Sequence, residues 1–164
     1  MEIREVRPEE YEEAGAVVAR AYSEYWRADD PGWAEHIDLV RDVAGRVDRT
    51  VVLVATDDGR IVGSATIELD GVVGDDDRQP TPDVAGLRMV GVDPDHRRRG
   101  IARALINEVI ARCRAARKHT LILRTTPPMV PAQRLYVSLG FERAPDLDMP
   151  VYERMPLVGY RLRL

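Results

Sequence analysis

The sequence has 164 residues, 45% of them hydrophobic and 32% charged, and a formal charge of −4. These figures describe one ordinary soluble globular domain, exclude a disordered or fibrous chain, and give no general attraction to nucleic acid, whose binders carry a basic excess. No apolar run approaches the roughly 20 residues of a membrane-spanning helix, and MEIREVRPEE is charged where a signal peptide needs an apolar stretch, so no membrane contact and a cytoplasmic location are expected.

Pro8 and two glutamates open a helical pattern, read as running from Val6 to Tyr22, with Tyr11, Ala14, Val17, Val18 and Ala21 on one side. A second helix is predicted from Trp33 to Val47, with Ile37, Val40, Ala44 and Val47 in register. VVLVAT and IVGSATIEL then read as two strands joined by Asp57-Asp58-Gly59-Arg60, a strong hairpin signal. Residues 71–83 read as a loop, and Val84 to Val92 as a strand ended by Asp93-Pro94. The clearest helix runs from Gly100 to Arg117, with Ile101, Leu105, Val109, Cys113 and Ala116 near one face. A strand from His119 to Thr126, a short helix from Ala132 to Leu139 stopped by Gly140, and a last strand at Tyr160 to Leu164 complete the chain. The order is one mixed α/β layer structure.

The chemistry points to Leu87-Arg-Met-Val-Gly-Val-Asp-Pro-Asp-His-Arg-Arg-Arg-Gly-Ile-Ala102. A strand, a turn and a glycine opening a long helix place amide N–H groups without internal partners at the positive end of a helix dipole, which favours phosphate. Gly100 and Ala102 leave room for close approach, and Arg97, Arg98, Arg99 and Arg103 add charge. Neither a P-loop nor a dinucleotide fingerprint is present. The bland alternative is a basic surface loop before a helix.

Arg97-Arg98-Arg99-Gly100-Ile101-Ala102, preceded by Val90-Gly-Val-Asp-Pro94, resembles the Gln/Arg-x-x-Gly-x-Gly/Ala signature of the GNAT superfamily of acyl-CoA N-acyltransferases. Ala132-Gln-Arg-Leu-Tyr-Val-Ser-Leu-Gly-Phe141 resembles that family's Ala-x-x-Leu-Tyr-x-x-x-Gly-Phe, at the family's distance. The resemblance implies a central mixed, mostly antiparallel sheet flanked by helices, with a splayed strand pair holding the cofactor. It implies acetyl-CoA as acyl donor, with no metal, and transfer of the acetyl group to a primary amine by direct attack. The backbone of Val90 and Val92 would meet the thioester carbonyl and pantetheine, with Gly91 at a bulge. The stretch from Arg97 through Arg98, Arg99, Gly100, Ile101 and Ala102 to Arg103 would hold the pyrophosphate.

The resemblance also implies that Tyr136 is the general acid that protonates the leaving thiolate. Some relatives place a glutamate base on the fifth strand, but Arg124 stands there. Glu68 is the best candidate base, with Asp70, Glu24 and ordered water as alternatives. Met129 stands where the family often has a cofactor-contacting asparagine. Tyr22, Tyr25, Trp26 and Trp33 fall where relatives place the acceptor-facing helices, and packing explains them equally well. Asp75 to Asp77 are read as a solvated loop, His96 as a turn residue, and Cys113 as a core thiol, which argues against an acyl-cysteine route. A silent acyl-CoA-binding sensor of the same fold is the second reading. Many relatives pair through C-terminal strands, so a homodimer through Tyr160 to Leu164 is expected. The amine acceptor, small molecule or peptide, is not legible.

Overall fold

The computed structural model describes residues 1–27, 29–30, 32–69, 82–149 and 156–164. Residues 70–81, which include Asp70 and Asp75 to Asp77, lie outside the described residues. Contacts cluster into two units, Met1–Ile67 with Met89–Ala111, and Glu68–Arg88 with Arg112–Leu164. Among the described residues seven strands form one sheet, and numbered in chain order they lie side by side as 1-2-3-4-5-7-6; the fourth, β4, Val84–Val92, belongs by its two halves to both units.

In the first unit β1 (Glu2–Glu5), β2 (Val51–Asp57) and β3 (Arg60–Glu68) form an antiparallel run. The hairpin between β2 and β3 turns at Asp58 and Gly59, both at positive φ, as the Asp-Gly signal requires. The helices α1 (Tyr11–Tyr22) and α2 (Trp33–Arg41) bury Ala14, Val17, Val18 and Val40 with Val52, Val54 and Ile61. Burying these apolar side chains is the main term that holds the unit together.

Two readings of the sequence need correction here. The strand β1 went unseen because EIRE mixes charge with a single apolar residue, and only its register against β2 (Glu2↔Thr56 to Glu5↔Leu53) makes it a strand. The second helix stops at Arg41 and does not reach Val47. The buried Arg46 folds back, and its Nη1 donates to the carbonyls of Leu39, Val40 and Asp42 at 2.8–3.1 Å while its Nε donates to Thr66 Oγ1. Carbonyls left open by the helix end are thereby satisfied. Val43 still enters the core, from a turn instead of a helix, so the apolar period outlasts the helix.

In the second unit the first half of β4 pairs in parallel with β5 (Thr120–Thr125) over Val84–Leu87 and Thr120–Leu123, although β4 runs on to Val92 and β5 to Thr125. β5 pairs antiparallel with β7 (Val158–Arg163), which pairs with the two-residue β6 (Glu142–Arg143). Tyr160 and Arg161 therefore have strand partners on both sides. The helix α4 spans Val130–Ser138. The helix α3, Ile101–Ala115, starts in the first unit and ends in the second.

A charge pair ties β1 to the 3-10 turn Pro8–Glu10 that follows it. Glu10 accepts from both terminal nitrogens of Arg4, at 2.7 and 2.8 Å, and from the Arg7 N–H at 2.9 Å. The Arg4 hydrogen bonds hold its carboxyl down at about 2, against an ordinary 4.5. A depressed carboxyl stabilises the fold above its ordinary pKa and loses that contribution as pH falls toward the depressed one. The stability difference between wild type and Glu10→Gln, from urea unfolding, should stay constant from about pH 7 to 5 and shrink between about 4.5 and 2. A difference that does not change with pH would contradict this assignment.

Candidate active site

The first unit contains the whole turn from β4 into α3. β4 ends at Val92, Asp93 follows, and Pro94–His96 make one turn of 3-10 helix. Asp93 is 8% exposed. Its N–H donates to the Val62 carbonyl of β3 at 2.9 Å. Its carboxylate accepts from the Asp95 N–H at 2.9 Å and from both terminal nitrogens of Arg20, on α1, at 2.8 and 3.3 Å. His96 sits at the end of this turn, with Nδ1 3.8 Å from the same carboxylate, consistent with its reading as a turn residue.

Beyond it, Arg98 and Gly100 take left-handed backbone, with φ of 60° and 80°. Such a φ strains an arginine and suits a glycine. The space where a Cβ of Gly100 would stand is open, with nothing within 4 Å. The Ala104 N–H makes the first bond of α3, to Gly100 O at 2.9 Å. The amides of Ile101, Ala102 and Arg103 therefore have no acceptor within the helix, and they converge at the positive end of its dipole. The turn has the backbone form of an anion cradle.

The arginine run is not simply a free positive patch. Arg97 is paired with Glu24, and Arg99 with Asp57 at 2.9 Å. Sequence reasoning missed these partners, and no local signal could have supplied them, since they lie 73 and 42 positions away in the sequence.

Within β4 one residue, Met89, takes left-handed backbone, with φ 52°. At Gly91 a Cβ would stand 2.8 Å from Val18 Cα and 3.2 Å from Ala21 Cβ of α1. A glycine is needed for the helix to lie that close. Val90, Gly91 and Val92 thus run under α1 toward Asp93.

Also in the first unit, Tyr22, Trp26, Trp33 and His36 form one ring cluster. Trp26 stacks on Trp33 at 5.4 Å and on His36 at 5.5 Å, and Tyr22 stacks on His36 at 6.0 Å. Tyr25 is half-buried beside them in sequence. His36 was not among the expected aromatics, because a lone histidine on a helix carries no signal of its neighbours.

In the second unit Glu68, the last residue of β3, is buried, and its Oε1 accepts from Arg88 Nη1 of β4 at 3.0 Å. Tyr136, near the end of α4, is buried, with ring contacts to Phe141 at 5.8 Å and Tyr160 at 6.1 Å. The Tyr160 hydroxyl donates to Gln133 Oε1 at 3.0 Å, and Gln133 Nε2 donates to the carbonyls of Thr126 and Pro127. Arg124 Nε donates to Leu147 O at 2.7 Å, a structural tie. Met129 precedes α4, and its sulfur accepts from Thr125 Oγ1 at 3.5 Å. Burial pushes the Cys113 thiol up to about 11, which keeps it protonated at neutral pH and a poor nucleophile. No group of three or more potential metal ligands occurs among the described residues.

Residues 8–141 match the family model described as the acetyltransferase (GNAT) family. A search of curated proteins found no match. Among solved structures, an acetyltransferase of the GNAT family from Staphylococcus aureus is 18% identical, with TM-score 0.73, covering 99% of this chain and 98% of that one. A ribosomal-protein-alanine N-acetyltransferase from Brucella melitensis is 21% identical, with TM-score 0.69 and all of both chains covered. A GNAT family acetyltransferase from Brucella melitensis in complex with acetyl-CoA is 23% identical, with TM-score 0.65, covering 99% and 87%.

The close approach at Gly91 gives a direct test of the packing beneath the turn. Because its neighbours are the backbone of α1, Gly91→Ala cannot be relieved by a rotamer change, and overpacking of this kind costs about 1–3 kcal/mol. The midpoint of urea unfolding should fall by a corresponding amount. An unchanged midpoint would mean that α1 does not press on β4 at this residue.

Proposed function

The chain belongs to the acetyltransferase (GNAT) family, and from that membership we propose that it transfers the acetyl group of acetyl-CoA to a primary amine. The observation that supports this reading most is the turn into α3, with left-handed Arg98 and Gly100, open space beside Gly100, and a first helical turn whose amides precede the first bond of the helix, Ala104 N–H to Gly100 O. Those features suit a pyrophosphate: the amides from Arg98 to Arg103 donate to it, and the Gly100 position leaves it room. Val90, Gly91 and Val92 offer strand backbone to the pantetheine amides and the thioester carbonyl. Where relatives use an asparagine side chain, Met129 contributes no amide.

Acetyl-CoA supplies an acyl thioester, whose thiol leaves readily. The chain's own residues then have three tasks. One is to take a proton from the ammonium so that the amine lone pair is available, and Glu68 is assigned to it, held in place by Arg88. Another is to polarise the thioester carbonyl through the N–H groups of β4. The last is to return a proton to the sulfur as the C–N bond forms and the C–S bond breaks, and Tyr136 is assigned to that. The action is proposed to take place in the cytoplasm; among the described residues no helix is long and apolar enough to cross a membrane.

A panel of amines, small molecules and peptide N-termini, assayed for free thiol release from acetyl-CoA, tests the reaction. Release with at least one amine class is expected. Acetyl-CoA binding without release from any of them would point to a silent acyl-CoA sensor. With the acceptor in hand, Tyr136→Phe should lower kcat about 10²–10⁴-fold with acetyl-CoA affinity nearly unchanged. The deficit should narrow with an acyl donor whose thiol has a lower pKa and needs less protonation. A normal kcat with both donors would reduce Tyr136 to a packing residue.

A further inference from the structure

Two of the cradle arginines are tied to carboxylates on elements of different stiffness. Asp57, the partner of Arg99, ends β2 and is held in the ladder opposite Arg60. Glu24, the partner of Arg97, lies in the turn after α1, outside any ladder or helix. The Arg97 and Glu24 side chains are 36% and 41% exposed. An exposed pair of that kind contributes little and gives way to a stronger charge. Arg97 meanwhile sits at the mouth of the cradle, directly before left-handed Arg98. A guanidinium serves a carboxylate or a phosphate with the same fork of donors, and a nucleotide polyphosphate presents more charge than one glutamate.

We infer that Arg97 exchanges partners. Glu24 holds it while no phosphate is bound, and the polyphosphate of the acyl donor draws it from Glu24 into the cradle. This rests on the phosphate-binding role proposed above for the turn. Glu24 is then a positioning residue that lowers donor affinity, since its bond to Arg97 must break first. The exchange also has a reporter. Glu24 is two residues from Trp26, which stacks on Trp33 and His36. The sequence has two tryptophans, and both stand in this cluster. Release of Glu24 therefore reaches the rings that carry the chain's tryptophan fluorescence.

Coenzyme A titrated into wild type, Glu24→Gln, Arg97→Met and the double variant, by calorimetry and by tryptophan emission, tests the exchange. Glu24→Gln should bind about two- to five-fold more tightly than wild type, the worth of one exposed pair. Arg97→Met should bind more weakly, and adding Glu24→Gln to it should bring no gain, because the two residues act as a unit. Tryptophan emission should respond to coenzyme A in wild type and lose that response in Arg97→Met. If Glu24→Gln binds equally or more weakly, Glu24 only aims Arg97 and the exchange is wrong. Glu24→Ala must move affinity in the same direction, which guards against a local defect of one variant. Wild type that does not bind coenzyme A at all would sink the donor reading and this inference with it. Wild-type binding with an unimproved Glu24→Gln would sink the exchange alone.

Discussion

Asp93 follows β4 with its main-chain N–H on Val62 and its carboxylate divided between Arg20 of α1 and the N–H of Asp95. A nearly buried carboxylate would be costly if left alone. Here a forked guanidinium and a backbone amide match it, and the three contacts together fix the direction in which the chain leaves the sheet. Pro94 then sets the 3-10 turn, and the chain arrives at Gly100 aligned to start α3. Lose the carboxylate, and Arg20, Asp95 and the turn each lose their common anchor.

Small residues set the second constraint. Gly91 lets α1 lie on β4, and Gly63 leaves room for side chains of α3, since a Cβ there would stand 3.0 Å from Leu105 Cδ1 and 3.1 Å from Ile101 Cγ2. The same Cβ would stand 3.2 Å from the Gly91 carbonyl, so the two glycines are neighbours on adjacent strands. The strand that leads into the turn is thus mounted on a tightly packed base, while Arg98 and Gly100, both left-handed, stand exposed beyond it.

Much of this was legible in the sequence because its signals are local. The Asp-Gly hairpin, the long periodic helix after Gly100 and the two spaced motifs all depend on residues near one another in the chain, and each stands where expected. What was illegible depends on distant partners. Nothing near Asp93 announces Arg20, and nothing near Arg97 announces Glu24. Met89 reads as an ordinary strand residue, and nothing near it in sequence announces its positive φ. The end of α2 was hidden because Val43 keeps the helical period while Arg46 takes over the helix carbonyls. In the second unit the chemistry and place of Glu68 are legible, but nothing near it in sequence announces its Arg88 partner.

The central claim is that backbone amides of the turn into α3 hold the donor's pyrophosphate. Its most direct test is the amide ¹H–¹⁵N spectrum of the labelled protein during a titration with coenzyme A. The account predicts that the largest shift changes fall on Arg98 to Arg103, with Gly100, Ile101 and Ala102 moving downfield in proton as they donate to phosphate. Binding whose largest changes lie elsewhere, with these amides unmoved, would contradict it.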